Sequence, residues 1–234
     1  MSLFFDETVD SQDEFIFSKE ESKHLVKVLR KKTGDLVSLT NGKGLEWKGE
    51  LIHSSSYNVV AQKIESIQHP TPTPQLHLAI APTKNMSRME WLVEKLTELG
   101  VTSITPIICE YSERRMIKLN RLKKISIAAL KQSQQFFLPT ILPPTPFQDI
   151  LNTEIDKGYI AHCYATTKLF LKDCEHQRQN ITLFIGPEGD FSPAEVKIAE
   201  ESGLQSVSLG NQRFRTETAG LLACHTIFTQ RLNH

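Results

Sequence analysis

The chain has 234 residues, 39% of them hydrophobic, with 27 basic and 27 acidic side chains and a formal net charge of +0. That size supports one or two domains with a real core, and the charge balance confines any nucleic-acid contact to local patches. No apolar run approaches the roughly 18 residues a membrane span needs, and the early acidic turn at Asp6 and Glu7 is unlike a secretion signal.

Residues 1–17 mix acidic side chains with aromatics and read as an edge strand or arm. Ser18, with Glu21 three residues on, predicts the capped start of a short helix whose apolar face holds Leu25, Val28 and Leu29. Lys23, Lys27 and Arg30 fall on another face, Lys31 and Lys32 follow, and with His24 this is the densest basic stretch. It is either a solvated helix face or a patch that meets nucleic-acid phosphates. The pattern then turns to period two. Leu36–Leu39 and Leu45–Leu51 flank the turn residues Asn41-Gly42-Lys43-Gly44, a hairpin signal, and Tyr57–Ile67 gives a further strand. Residues 1–70 therefore read as a small, mostly β module, a compact barrel, ending in the proline-rich spacer His69–Pro74.

Residues 71–234 alternate strands with helices, which predicts a mainly parallel α/β sheet. Leu76–Ala81 is a strand; Ser87 and Glu90 form a capping box for a helix over Arg88–Leu99, closed by Gly100. Its stripe is Met89, Leu92, Val93, Leu96 and Leu99, while Trp91 points away, toward intrachain cover or a subunit interface. Ile104–Cys109 is the next strand. A second basic stretch with Arg114, Arg115 and Lys118 leads into a helix reaching about Phe137. Thr145, with Pro146 at the first helical position, starts another helix, and Tyr159–Tyr164, Ile181–Ile185 and Ser206–Leu209 are strands. Ser192, Pro193 and Glu195 open a helix that Gly203 ends, and Glu217 to about Leu232 is the terminal helix. Cys109, Cys163, Cys174 and Cys224 form no C-x-x-C pair, the histidines no H-x-x-x-H pair, so reduced thiols and no metal site are expected.

Two loops organise this half: Gly186–Ser192 after one strand and Gly210–Thr216 after another. Each is a strand that stops at a glycine and turns into a helix, the design of a small-molecule site at the carboxyl end of a sheet. Neither G-x-x-x-x-G-K-[ST] nor G-x-G-x-x-G is present, and no lysine follows to meet a phosphate. A ligand with little negative charge fits better.

Four stretches resemble the RsmE family of SPOUT-class methyltransferases: Ile185-Gly186-Pro187-Glu188-Gly189-Asp190-Phe191-Ser192, Leu209-Gly210 with Phe214-Arg215-Thr216-Glu217-Thr218-Ala219, Arg88–Gly100, and His24–Arg30. In order, they cover nearly the whole chain. The resemblance implies transfer of a methyl group from S-adenosylmethionine to N3 of a uridine in the 16S ribosomal RNA of the small subunit. It further implies a SPOUT-type sheet with a C-terminal trefoil knot, a PUA-like N-terminal barrel for RNA, and a cytoplasmic homodimer with no membrane contact. The expected donor-binding residues are Ile185, Gly186, Pro187, Glu188, Gly189, Leu209, Gly210, Phe214, Thr216 and Ala219. Glu188 and Glu217 are the candidate bases, and Arg215 would meet charge developing on the uracil oxygens or hold a phosphate. Lys23, Lys27, Arg30, Lys31, Arg114, Arg115 and Arg213 are the expected RNA contacts. Many relatives read A-x-E-Q-x-x-R where this chain has Ala129–Gln135, so Lys131 and Gln135 depart from the pattern, as does Ser87 where an aspartate is common. The alternatives are a methyltransferase of the same fold acting on another RNA, and a non-catalytic RNA-binding or assembly protein.

Overall fold

The computed structural model describes residues 2–175 and 179–232. The chain divides into two compact units, one made of residues up to Thr71 with Leu130–Leu138, the other of Pro72–Ala129 with Pro139 onward.

In the first unit β1 (Leu3–Phe5), β2 (Glu14–Ile16), β3 (Leu36–Thr40), β4 (Leu45–Ser54) and β5 (Val59–Gln68) form one sheet in the order β1-β3-β4-β5-β2. Only the β1–β3 pair is parallel. Period-two alternation sends Val37, Leu39, Leu45, Trp47, Leu51, Val59 and Ala61 to one core, joined by Phe4, Phe15 and Phe17. The hairpin tip does not stand alone: Gly44 donates to the Phe136 carbonyl and Leu138 to that of Gly42. Residues Leu130–Leu138 thus belong with this unit, although their local pattern only continues a helix.

Ser18 caps α1 (Lys19–Lys23), accepting from the Glu21 amide. The chain then widens into a π turn over His24–Val28, in which Leu29 donates five residues back to His24. This overturns the expected apolar face. Leu25 is buried, but Val28 is 64% exposed and Leu29 is partly so, because a π turn breaks the three-to-four-residue repeat. Arg30 has left the helix at φ 54°, so Lys23, Lys27 and Arg30 do not share one helical face.

In the second unit β6 (Leu76–Ile80), β7 (Ser103–Ile108), β8 (Thr140–Ile141), β9 (Thr145–Pro146), β10 (Lys157–Ala161), β11 (Leu169–Phe170), β12 (Ile181–Ile185) and β13 (Gln205–Ser208) make an all-parallel sheet. The order is β11-β13-β10-β12-β6-β7-β8, with β9 on β7. Alternate side chains feed two cores. Leu76, Leu78, Ile80, Leu183 and Ile185 pack on α2 (Met86–Glu98) and α6 (Thr216–Leu232). Ala79, Ala81, Ile160 and Phe184 face α4 (Phe147–Leu151) and α5 (Pro193–Glu201). A parallel sheet covered on both faces is the reason its strands read as nearly continuous apolar runs. The remaining helix, α3 (Leu119–Ser133), ends at Gln134 with φ 55°.

Two helix starts differ from expectation. Asn85, not Ser87, caps α2, accepting from the Ser87 amide; an Asx side chain two residues upstream reached the free N–H groups first. Pro146 is the cap residue of α4, in extended backbone at ψ 141°, rather than its first helical residue.

Candidate functional site

Because every strand of this sheet is parallel, the loops that follow β6, β12, β10 and β13 all leave by one edge, in that order. Three are tied together by side-chain-to-backbone hydrogen bonds. The loop after β12 begins at the buried Gly186, where a Cβ would stand 3.0 Å from the Phe191 amide nitrogen and 3.0 Å from its ring. Asp190 closes the turn, donating its amide to the Pro187 carbonyl at 2.9 Å with φ 69°. Its carboxylate accepts from the Phe191 amide and, on the next strand's loop, from the Cys163 amide, both at 2.8 Å. Tyr164 adds a second tie, its hydroxyl donating to the Phe191 carbonyl at 2.7 Å.

On the other side, Glu188 Oε1 accepts from the Lys84 amide at 2.8 Å, in the loop after β6. Arg114 clasps the same loop from the segment after β7, donating to the Thr83 carbonyl at 3.2 Å and to the Lys84 carbonyl at 2.7 Å. Arg114 is therefore turned onto the protein's own backbone, while its neighbour Arg115 is exposed. Below these loops Ser192 and Glu195 form a capping box at the expected helix start, and Glu195 also accepts from the Glu110 amide at 2.8 Å.

The loop after β13 is pinned at its base by Ser208, whose hydroxyl donates to the Gly210 carbonyl at 3.0 Å. Leu209, Gly210 and Phe214 are half-buried, and Arg213 and Arg215 are exposed. The chain then dives into α6, where Thr216 and Glu217 are buried. Glu217 Oε1 lies 3.5 Å from Arg88 Nε of α2, whereas its Oε2 is buried with no hydrogen-bond partner among the described residues. A buried carboxylate oxygen left unpaired is costly and rare. It leaves an acceptor open at the start of α6, as Gln230 Oε1 and Arg231 Nε are left without partners near its end among the described residues.

Of the expected donor-binding residues, Ile185, Gly186, Pro187 and Thr216 are buried, Ala219 is half-buried, and Glu188 and Gly189 are exposed at the loop's crest. The hydrogen bonds at the Gly186 and Gly210 bends come from backbone groups, Asp190 and Ser208. The fourth loop was missed. The run Tyr159–Tyr164 was expected to be all strand, but β10 stops at Ala161, and the strand order sets His162–Lys168 between the two motif loops. No local signal separates His162 from the apolar run before it; only the sheet order does.

In the first unit Lys23, Lys27 and Arg30 are exposed, and Lys31 donates to the Leu36 carbonyl at 3.3 Å. No group of three metal-ligating side chains stands together among the described residues. A cleft of about 760 Å³ lies at the opposite edge of the parallel sheet, at the strand starts, between Pro74, Leu76, Thr102 and Phe228.

Comparison with known proteins places this geometry. A family model described as an RNA methyltransferase domain matches residues 69–228, and one described as an RNA methyltransferase PUA domain matches residues 17–63. Ribosomal RNA small subunit methyltransferase E of Aquifex aeolicus is 31% identical over 67% of this chain and 69% of its own. A probable rRNA-methyltransferase from Porphyromonas gingivalis superposes with a TM-score of 0.92 at 36% identity, covering 100% of both chains. A ribosomal RNA small subunit methyltransferase E from Neisseria gonorrhoeae, solved bound to S-adenosyl methionine, gives 0.86 at 28% identity over 98% of both.

Proposed function

The chain belongs to the RNA methyltransferase family that includes ribosomal RNA small subunit methyltransferase E, and on that premise we propose that it methylates small-subunit ribosomal RNA with S-adenosylmethionine as donor. The observation that carries this reading is the set of parallel-strand loops built from peptide groups, beside a buried carboxylate oxygen that lacks a partner.

The residues present suit that donor. S-adenosylmethionine carries no phosphate, and the bends at Gly186 and Gly210 offer backbone groups and apolar walls instead of a phosphate-binding lysine. Ile185, Gly186, Pro187, Gly189, Leu209, Gly210, Phe214, Thr216 and Ala219 would hold it. Bound there, it would supply a methyl group already made electrophilic by a sulphonium. The chain's own task is then orientation and proton removal. Orientation of two reactants supplies about 7–11 kcal/mol in good cases, and a positioned base typically adds 10²–10⁴-fold.

The target atom is uracil N3. Each candidate base has one oxygen engaged, Glu188 Oε1 by the Lys84 amide and Glu217 Oε1 by Arg88; we take Glu217 as the base because its Oε2 is buried without a partner at the start of α6, whereas Glu188 is exposed to solvent. Arg215, exposed on the loop leading into α6, is placed to meet negative charge on the uracil oxygens or an RNA phosphate. For RNA contact we assign Arg213 and Arg115 in the second unit and, separately, Lys23, Lys27, Arg30 and Lys31 in the first, while Arg114 serves the loop after β6.

The crossings of the chain support a trefoil knot. From β12 the chain passes over β10 by way of α5 on one face, forms β13, then returns by α6 on the other face to pack on β12 and β6. The five-stranded first unit supports a PUA-like RNA-binding barrel over residues 1–70. The exposed Trp91 on α2 supports a homodimer, and the ribosomal RNA relatives support work in the cytoplasm on the assembled small subunit. No described helix is long and apolar enough to cross a membrane. The test is incubation with labelled donor and small subunits lacking the modification, followed by mass mapping. One methyl per subunit on a uridine N3, strongly reduced by Arg215→Ala, is expected. Donor binding without any transfer would instead favour a non-catalytic assembly protein, and label on another RNA a different substrate.

A further inference from the structure

The loop between the two motif loops is held by a lysine that no motif contains. Lys168 Nζ donates to the His162 carbonyl at 2.6 Å and to the Tyr164 carbonyl at 2.7 Å, and lies 3.5 Å from His162 Nδ1. An ammonium has three N–H groups and no acceptor, so the two carbonyls and, more distantly, the imidazole use all three, although burial lowers the Lys168 pKa. The far side of the same imidazole continues the chain: His162 Nε2 is 3.0 Å from Ser206 Oγ on β13, and that hydroxyl donates to Glu200 Oε1 on α5 at 2.6 Å. Burial, and then the charge of Lys168, lower the His162 pKa against the opposing pull of Asp190 and Glu200, which favours the neutral ring. A neutral ring facing an ammonium presents Nδ1 as acceptor and carries its proton on Nε2. The hydrogen bonds therefore run one way, from the cation on the β10 loop to the carboxylate on α5.

We propose that Lys168 is a positioning residue for the methyl-donor site: by gathering the His162 and Tyr164 carbonyls and anchoring through His162 and Ser206 to Glu200, it sets the loop after β10 between the two donor-binding loops. The consequences run through contacts already described. The held loop offers the Cys163 amide to Asp190 and the Tyr164 hydroxyl to Phe191, which fix the turn beginning at Gly186. Charge-assisted hydrogen bonds of this kind are roughly twice as strong as neutral ones, and a chain of them is worth more than its parts.

This inference rests on reading the site as the S-adenosylmethionine pocket, so the experiment separates the two. The full-length protein, Lys168→Met, Lys168→Arg and Ser206→Ala are compared by calorimetry with S-adenosylmethionine, by steady-state kinetics, by amide hydrogen exchange without ligand, and by nitrogen NMR of His162. Lys168→Met is expected to weaken donor binding roughly tenfold or more, raising KM for the donor with little change in kcat. It should also speed exchange at Cys163 to Thr166 and shift the His162 ring nitrogens; Lys168→Arg should recover part of each effect, and Ser206→Ala should shift His162 with a smaller loss of affinity. Unchanged donor affinity in Lys168→Met, with or without a lower melting temperature, would overturn the role of Lys168 and leave the site standing. A parent protein that binds no donor would overturn both.

Discussion

Replacing Gly186 by alanine tests how tightly the loop after β12 is built. The added Cβ would come within 3.0 Å of both the Phe191 amide nitrogen and its ring, closer than such atoms ordinarily approach. Neither can step aside cheaply. The nitrogen is backbone, held by the Asp190 carboxylate at 2.8 Å, and the ring is fully buried against Phe147 with centroids 5.2 Å apart. The loop must therefore move as a body, and overpacking of this kind costs about 1–3 kcal/mol. If the parent loop geometry is what holds the donor, the same energy appears in binding as a roughly 5- to 150-fold weaker Kd. Calorimetry with S-adenosylmethionine and a melting curve on the same samples read the two effects. Gly203→Ala is the control: it sits at φ 90° with no atom within 4 Å, so it should lower the melting temperature and leave Kd alone. An alanine at 186 that binds the donor as tightly as glycine would refute the reasoning, because the loop would then not be the wall of the site.

Glu188→Gln keeps an acceptor for the Lys84 amide and should leave the methyl-transfer rate within a few-fold of the parent; a loss of 10² or more would make Glu188 the base instead. Glu217→Gln should lower kcat by about 10²–10⁴-fold with donor affinity largely kept, and a variant that still turns over at the parent rate would remove Glu217 from the chemistry. Acid unfolding should report His77, which accepts or shares a 2.7 Å hydrogen bond with Thr105 and whose pKa burial lowers from 6.5 to about 4. The unfolded chain binds that proton first, so the stability is complete above pH 6.5 and declines as pH falls toward about 4. At about 1.4 kcal/mol per pH unit the loss is of order 3 kcal/mol; His77→Gln should flatten that part of the denaturation profile, and an unchanged slope would place the acid sensitivity elsewhere.

The parts of this fold that were legible are those decided by neighbours in sequence. Ile181–Ile185 is a short apolar run with β-branched ends and became β12; Ser192, Pro193 and Glu195 carry a complete capping signal and became the start of α5. The stripe Met89, Leu92, Val93 and Leu96 went inward as its spacing requires. What failed was decided across the chain. Leu130–Leu138 joined the first unit because the hairpin tip at Gly42 and Gly44 supplied backbone partners some 90 residues away, which helical periodicity does not register. The π turn at His24–Val28 left no mark in the residue pattern, which reads the same for an α-helix. Likewise the motif loops announced themselves by glycine and proline, whereas Asp190, Tyr164 and Lys168 acquire their work only when strand order sets β10 between β12 and β13. Arg114 looked like one more surface cation until the Thr83 and Lys84 carbonyls turned toward it.

The most direct measurement is a structure of this protein with S-adenosylmethionine bound. The donor is expected at the carboxyl edge of the parallel sheet, bounded by the Gly186 and Gly210 bends and the His162–Lys168 loop, with its methyl group opening toward Glu217 and Arg215. A donor found instead in the cleft at the strand starts, among Pro74, Leu76 and Phe228, or those bends left unfilled beside it, would contradict the account.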